Sequence, residues 1–232
     1  MRCAIMQPTY LPWSGYFNLI TSVDYFYYLD DAQYERGTWH NRNRILLGEK
    51  PHWLTVPVTR KFLGQQLYEV LLDSKQTNWR RKHSDSIRHA YGRCPYMKDL
   101  SEIIDIIEYG SQITLADVNI AIIEKICVIL DIETVRYRSS KYKVDLPRSE
   151  KLVELCRMVG CNEYLSPLGA KEYLLNDNFE QLSEVCLIFQ NFHPTSYPQQ
   201  KVTELISHLS ILDVIANLGI RGAKDYIGQT YE

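Results

Sequence analysis

Residues 2–31 read RCAIMQPTYLPWSGYFNLITSVDYFYYLDD, and this stretch decides the fold. The apolar run Arg2 to Met6 predicts a short buried strand, and the two prolines that follow prevent it from continuing as helix or strand. From Ser14 the sequence offers an N-cap and an apolar face, which predicts a helix, and the aromatic run Asp24 to Asp30 suits a second strand. Strand, loop, helix and strand at this spacing indicate a right-handed crossover and a parallel sheet.

The rest of the chain continues to alternate helices and strands. Helices are predicted over 78–91, from Leu100, over 115–130 and 149–159, and over 205–218, where Gly219 closes the last one; strands are predicted over 53–58, 134–137, 163–165 and 185–189. We therefore expect one α/β domain over residues 1–232, a Rossmann-like parallel sheet flanked by helices. Residues from about 39 to 98 form a basic insertion or subdomain within it.

Composition and charge exclude several classes of protein. The chain has 232 residues, 45% of them apolar and 23% charged, which is ordinary for a globular domain. With 26 basic and 28 acidic residues its net charge is −2, which gives no overall field for DNA or an anionic membrane. Residues 36–98, however, carry 13 Lys/Arg and 4 Asp/Glu, and this segment is a candidate anion-binding surface.

Other familiar signals are missing from the sequence. It contains no apolar stretch of about 18 residues and no signal-type apolar region near Met1, so we expect a cytoplasmic protein without a membrane span. The six cysteines form no C-x-x-C pair, so we expect reduced thiols and no metal site. No dinucleotide fingerprint, P-loop or G-x-S-x-G elbow is present, and neither redox chemistry nor a covalent nucleophile is indicated.

Polar side chains follow the first two strands, where ligands of open parallel sheets bind. We expect Gln7 to Trp13 and Asp30 to Arg36 to face one crevice. Asp30 or Asp31 could orient a sugar hydroxyl or accept the proton of an attacking amine, and the alternative is that one of them caps the turn. Gln33 could recognise amide or hydroxyl groups, and Gln7 belongs to the same candidate binding site.

Three further groups of residues suit a phosphorylated ligand. Arg42 and Arg44 would point to one side of an extended segment and could bind a diphosphate. The alternative is that they lie on a solvent-exposed strand edge, where their charge deters aggregation. The loop aromatics Tyr10, Trp13 and Trp39 could stack on a base or sugar. The backbone of Ser166 to Gly169 could bind phosphate at a helix start, or form an ordinary turn.

Two histidines are candidates for a general base. His83 lies one helical turn after Trp79, and His193 precedes Pro194. Amide formation by an amine needs a proton acceptor whose pKa is near neutral, which imidazole supplies. A structural role remains the alternative for each.

Six motifs carry a resemblance to a known family: Gln7-Pro8-x-Tyr10-Leu11-Pro12, Leu29-Asp30-Asp31-x-Gln33, Trp39-x-Asn41-Arg42-Asn43-x-Ile45, Trp53-Leu54-Thr55-Val56-Pro57-Val58, Tyr164-Leu165-Ser166-x-x-Gly169 and Tyr197-Pro198-Gln199. Over nearly its whole length the chain resembles the WbqC-like family of bacterial proteins, found among genes for O-antigen and other surface polysaccharides. The resemblance implies that glycine or a similar acyl group is attached to a nucleotide-linked 4-amino sugar. It also adds Asn41 and Asn43 to the candidate binding residues and favours Arg42.

The opening loop is similar, more weakly, to that of nucleotidylyltransferases and pantothenate synthetase. Their H-x-G-H motif binds ATP phosphates through its histidines. Here Trp13 and Tyr16 take the places of the histidines and only Gly15 remains. Neither side chain is a cation near neutral pH, so no ATP requirement is assigned and ATP stays open as a cofactor.

The sequence thus favours a transferase that forms an amide on a dTDP-type 4-amino-deoxy sugar. The small acyl donor would be activated by ATP or arrive already activated on a carrier or tRNA. Two alternatives are kept: a non-catalytic protein that binds a sugar nucleotide or a partner enzyme, and an ATP-dependent nucleotidyltransferase or ligase. The oligomeric state is left open.

Overall fold

The computed structural model describes residues 1–229, which contain nine strands and eight α-helices. The strands are β1 (Arg2–Met6), β2 (Tyr25–Tyr28), β3 (Arg42–Leu47), β4 (Lys50–Thr55), β5 (Val58–Thr59), β6 (Leu71–Leu72), β7 (Val135–Arg138), β8 (Glu163–Ser166) and β9 (Cys186–Phe189). The helices are α1 (Ser14–Thr21), α2 (Trp79–Tyr91), α3 (Ser101–Tyr109), α4 (Leu115–Ile129), α5 (Arg148–Met158), α6 (Lys171–Asn176), α7 (Phe179–Leu182) and α8 (Ile211–Ile227).

Five strands form the central sheet, in the order β7-β2-β1-β8-β9. All neighbours are parallel, and β1 pairs with β2 from Cys3 opposite Tyr25 to Met6 opposite Tyr28. The predicted α/β class with a Rossmann-like parallel sheet is therefore confirmed. The strand order reverses between β1 and β8, so the loops after these two strands open a crevice at their carboxyl ends.

Side chains that alternate along β1 divide the core into two layers. Ala4 belongs to a large cluster with apolar residues of α1, α4 and α8. Cys3 and Ile5 face the other way, into a smaller cluster with residues of α5, α6 and α7. Helices thus cover both faces of the sheet, which explains why β1 and β2 carry almost no polar residues.

The segment between β2 and β7 holds the basic region. Strands β3 and β4 form an antiparallel hairpin in which Arg42 is opposite Thr55, and β5 pairs with β6. Ile45 and Leu54 of the hairpin belong to the same buried cluster as Ala4. The hairpin is therefore packed onto the sheet domain through the main core.

The last helix differs from its prediction at both ends. It begins at Ile211, after Ser210, whose hydroxyl accepts a hydrogen bond from the Leu212 amide at 3.3 Å. Gly219 does not close it: with φ 71° and ψ 176° this residue makes a kink, and helical turns resume and run to Ile227. The apolar side chains beyond the kink are buried in the main core, which is why the chain continues as helix.

Among residues 1–229, no helix combines the length and the apolar character needed to span a bilayer.

Candidate functional site

A cavity of about 620 Å³ lies at the crevice between β1 and β8. We refer to it as the switch-point cavity. Its walls come from the ends of β1 and β8 and from the loops around Trp39, 167–170, 190–194 and His208. Of the predicted site residues, five line it: Gln7, Trp13, Trp39, Gly169 and His193.

The loop after β1 is held in shape by two asparagines. Asn43 donates to the carbonyl oxygens of Tyr10 at 3.2 Å and Leu11 at 2.7 Å. Asn119 of α4 donates to the carbonyl oxygen of Pro8 at 3.0 Å. Leu11 adopts φ 46°, a conformation that non-glycine residues rarely adopt, so these bonds fix a loop that would not keep its shape alone.

Asn43 and its neighbour Asn41 are thus engaged by the protein's own backbone. Asn41 donates to the Val56 carbonyl oxygen at 3.0 Å, and both asparagines are buried. The structure places Asn41 behind the loop, whereas Asn43 also lines a small cavity of about 150 Å³ that shares Met6, Trp13, Trp39 and His208 with the switch-point cavity.

Gln7 is oriented by a histidine that the sequence did not single out. The backbone N–H of Glu35 donates to His40 Nδ1 at 3.3 Å, which leaves the ring proton on Nε2. Nε2 then donates to Gln7 Oε1 at 3.0 Å. Burial lowers the pKa of His40, so the ring is neutral near pH 7. The Gln7 NH2 group is left to donate to a ligand.

Trp13 forms a wall of the cavity with a second histidine. Its ring stacks on His208, with 4.6 Å between the ring centroids, and lies 5.6 Å from that of Phe192. Burial, and then the charge of Arg44, lowers the pKa of His208. A Cβ at Gly15 would lie 2.2 Å from a carbon of the Trp13 ring, so Gly15 makes room for this wall.

The sequence gives no motif around His208 that would mark it as a site residue. Its place at the cavity depends on stacking against Trp13, a contact between distant parts of the chain. Phe192, Tyr164 and Tyr173 also line the cavity and were likewise not predicted.

The two arginines of β3 lie on one side of the hairpin with two tryptophans. The Arg42 guanidinium is 4.3 Å from the ring centroid of Trp53, and the Arg44 guanidinium is 5.6 Å from that of Trp39. Arg44 also donates to the backbone carbonyl of His208 at 3.3 Å. Arg44 therefore lies directly behind the Trp39–His208 side of the cavity.

Asp30 is held in an ion-pair network beside the sheet and is fully buried. Its Oδ2 accepts from Arg138 Nε at 2.7 Å and from the Ser140 hydroxyl at 2.8 Å, and its Oδ1 accepts from the Ser140 amide at 3.0 Å. Asp31 accepts from Lys151 and from the Ser139 hydroxyl. Neither aspartate is among the residues that line the switch-point cavity.

Tyr10 and His83 form a separate buried pair. The Tyr10 hydroxyl lies 2.8 Å from His83 Nδ1, and the Tyr10 ring is inaccessible to solvent. Burial lowers the pKa of His83 to about 4. His83 lines another cavity, of about 380 Å³, that shares no residue with the switch-point cavity.

The remaining predicted residues lie at the edge of the site or outside it. Gln33 is exposed and forms an isolated bridge with Gln66. Ser166 is buried, and its hydroxyl donates to the Pro167 carbonyl at 3.3 Å. Gly169, three residues later, is exposed on the cavity wall. His193 is exposed there too, and its Nε2 donates to Asn191 Oδ1 at 3.0 Å.

The six motifs extend from Gln7 to Gln199, and comparison with known proteins gives a match over a similar range. The model of the WbqC-like protein family matches residues 7–225. The chain belongs to the WbqC-like protein family. An uncharacterized protein of Mycobacterium tuberculosis is 32% identical to it over 228 residues, which span 97% of each chain. No solved structure matches it significantly.

In this WbqC-like protein the motifs divide between two tasks. Gln7, Trp39 and Gly169 line the switch-point cavity, whereas Asn41, Asn43 and Asp30 hold the surrounding loops and strands. Within residues 1–229, no three His, Cys, Asp or Glu side chains are grouped closely enough to bind a metal ion. The polar side chains that line the cavity are the amides of Gln7 and Gln190, the imidazoles of His193 and His208, the indoles of Trp13 and Trp39 and the hydroxyls of Tyr164 and Tyr173.

Proposed function

We propose that the protein is a transferase of surface polysaccharide biosynthesis. It would form an amide on the amino group of a dTDP-type 4-amino-deoxy sugar, with glycine or a similar small acyl group as donor. The switch-point cavity carries this proposal, because it opens where parallel sheets bind nucleotide ligands. Its volume of about 620 Å³ lies in the usual range for small-molecule sites.

The cavity offers complementary surfaces for the parts of such a ligand. The Trp13 and Trp39 rings are flat apolar walls for a base or sugar face. Arg44, behind Trp39, brings positive charge toward the diphosphate, and the backbone N–H groups of Leu168 and Gly169 supply further donors. The Gln7 NH2 group can donate to a carbonyl or hydroxyl oxygen of the ligand.

Two histidines at the cavity can serve the chemistry. The sugar amine attacks the acyl carbonyl carbon, the C–N bond forms, the leaving group departs with its electron pair, and the amine loses a proton to a base. His208 is neutral near pH 7 because its pKa is lowered, and can accept that proton. His193 is the second candidate.

The position of Trp13 favours a donor that arrives already activated. It stands where an ATP-binding enzyme of similar opening has a histidine, and its ring stacks on His208 and packs near Phe192. The Tyr16 hydroxyl, at the second histidine position, donates to the Gln7 carbonyl oxygen at 3.2 Å. Neither residue brings a cation to a triphosphate.

A second candidate function is non-catalytic binding of a sugar nucleotide or of a partner enzyme in the same pathway. It is favoured by the placement of Asp30, Asp31 and His83 outside the cavity wall. Under this alternative the sugar nucleotide binds in the same cavity and leaves unchanged.

The test is to incubate the protein with a dTDP-4-amino sugar and three donors in turn: glycine with ATP, glycyl-tRNA and a glycyl thioester. Mass spectrometry would then show whether a glycyl group has been added. We expect addition with an activated donor, and a large loss of rate in His208→Gln and His193→Gln. His52→Gln, an exposed histidine on β4, is the matched control. A sugar that binds but stays unmodified with all three donors would refute the transferase and support the binding protein.

A further inference from the structure

A second cavity, of about 560 Å³, lies between the end of β3, the end of α2 and the start of α8. It shares no residue with the switch-point cavity. One carboxylate, Asp213 in the first turn of α8, lines it. We refer to it as the Asp213 cavity.

Asp213 is fully buried, yet only one of its oxygens is satisfied. Oδ2 accepts from the Tyr197 hydroxyl at 2.6 Å and from Gln199 Nε2 at 2.8 Å. Oδ1 accepts no hydrogen bond from residues 1–229. The Tyr91 hydroxyl, which accepts from the Leu46 amide at 3.2 Å, makes a further and smaller hydrogen-bond contribution to the same carboxyl group.

The side chains that hydrogen-bond to Asp213 carry no positive charge. Tyr197, Gln199 and Tyr91 are neutral, and in the described chain no Lys, Arg or His forms an ion pair with Asp213. Burial raises the pKa of this carboxyl group. A buried carboxylate without a cation is energetically costly, so an ammonium group would supply both the missing donor and the missing charge.

Cations stand at the rim of the same cavity. Arg93 and Lys201 line it, are exposed, and form no ion pair within the described residues. Arg88 also lines it but is paired with Glu108 at 2.6 Å. The rim can therefore bind an anionic group of a ligand, while Asp213 in the interior binds a hydrogen-bond donor of the same ligand.

We propose that the Asp213 cavity binds a small zwitterion, namely a free amino acid. Its ammonium group donates to Asp213 Oδ1, and its carboxylate contacts Arg93 and Lys201. Tyr197 and Gln199 of the sixth family motif act as positioning residues, since they hold Asp213 through Oδ2 and leave Oδ1 to the ligand. This site does not depend on the transferase reaction proposed for the switch-point cavity.

The experiment offers glycine and each common amino acid in turn to the full chain, by thermal shift and then by isothermal titration calorimetry. Acetate and methylamine, which each lack one of the two charged groups, are the matched ligands. Asp213→Asn tests the interior contact, and the double variant Arg93→Gln with Lys201→Gln tests the exposed rim. Arg221→Gln, an exposed arginine of α8 outside the cavity, is the control variant.

We expect at least one amino acid to bind, and neither acetate nor methylamine to replace it. Asp213→Asn should weaken that binding by about 10-fold or more, as loss of a charged hydrogen bond does. The rim variant should also weaken it, and Arg221→Gln should not. The proposal is overturned if no amino acid binds, or if the rim variant keeps the affinity of the wild type, a comparison that stands even if Asp213→Asn fails to fold.

Discussion

His40 donates its Nε2–H to Gln7 Oε1 across 3.0 Å, and this bond joins the segment after β2 to the loop after β1. The Gln7 amide has a fixed orientation because the Glu35 amide fixes the tautomer of His40. The first prediction concerns this pair. His40→Phe should weaken binding of a dTDP-amino sugar by about 2- to 10-fold, the loss expected for one oriented hydrogen bond.

Calorimetric titration of the sugar nucleotide measures that change. Gln7→Ala should weaken binding at least as much as His40→Phe, and Gln33→Ala, an exposed glutamine nearby in sequence, should leave it unchanged. If Gln33→Ala matched Gln7→Ala, the orientation of Gln7 would not explain affinity.

A second prediction concerns Gly15, whose Cβ would meet the Trp13 ring. Because the ring carbons would be 2.2 Å away, Gly15→Ala must displace Trp13 from its stack on His208. Overpacking of this kind costs about 1–3 kcal/mol of unfolding free energy. Urea unfolding followed by tryptophan fluorescence measures both effects. Gly169→Ala, whose Cβ meets nothing within 4 Å, is the control and should change neither.

Asp30 gives a third prediction, on stability. Its carboxylate is fully buried and bonded to Arg138, which is partly exposed and also pairs with Asp117. Asp30→Asn removes the buried charge and one acceptor while Asp117 still compensates the guanidinium, so the expected loss of unfolding free energy is about 1–3 kcal/mol. Asp105→Asn, on the exposed side of α3, should cost almost nothing. Full stability with lost turnover would instead make Asp30 a catalytic residue.

The fourth prediction is a pH dependence from His83. The pKa of this histidine is about 4 in the folded protein and about 6.5 when unfolded, so the unfolded chain binds the proton more tightly. Stability is therefore fully present above pH 6.5 and falls as the pH drops toward 4, by up to about 3 kcal/mol. His40 and His208 add to this slope, since their pKa values are also lowered.

Urea unfolding at neutral pH and at about pH 4.5 measures this dependence. His83→Gln should shrink the difference between the two pH values, because glutamine does not titrate in this range. An undiminished difference would exclude His83 as its source.

Much of the fold could be predicted because it follows from local patterns. The apolar run Arg2–Met6, the prolines after it and the aromatic strand Tyr25–Tyr28 specify a parallel crossover whichever residues lie elsewhere. Gly219 shows the limit of such patterns. A glycine signals a break in the helix, and only tertiary burial of the next turns decides whether the chain ends there or bends.

The site was harder to predict than the fold. The ends of the strands show which end of the sheet carries the site, but they do not show whether a given side chain points into the cavity. Gln7 and Asp30 both follow the carboxyl ends of neighbouring strands, yet Asp30 is bonded to Arg138 and does not reach the cavity wall. His208 contributes to the cavity only through its contact with Trp13. Asn43 belongs to a motif for a reason the sequence does not reveal, since its partners are carbonyl oxygens of a distant loop.

Because Asn43 and Asn119 hold the backbone of the first loop, the long connection from β2 to β7 cannot be removed from the Rossmann-like sheet without releasing that loop. Replacing this connection with a single helix would remove the hydrogen-bond donors to the carbonyl oxygens of Pro8, Tyr10 and Leu11. Without those bonds the left-handed conformation of Leu11 would lose its main support. Any attempt to transplant the pocket must therefore carry the hairpin and α4 along with it.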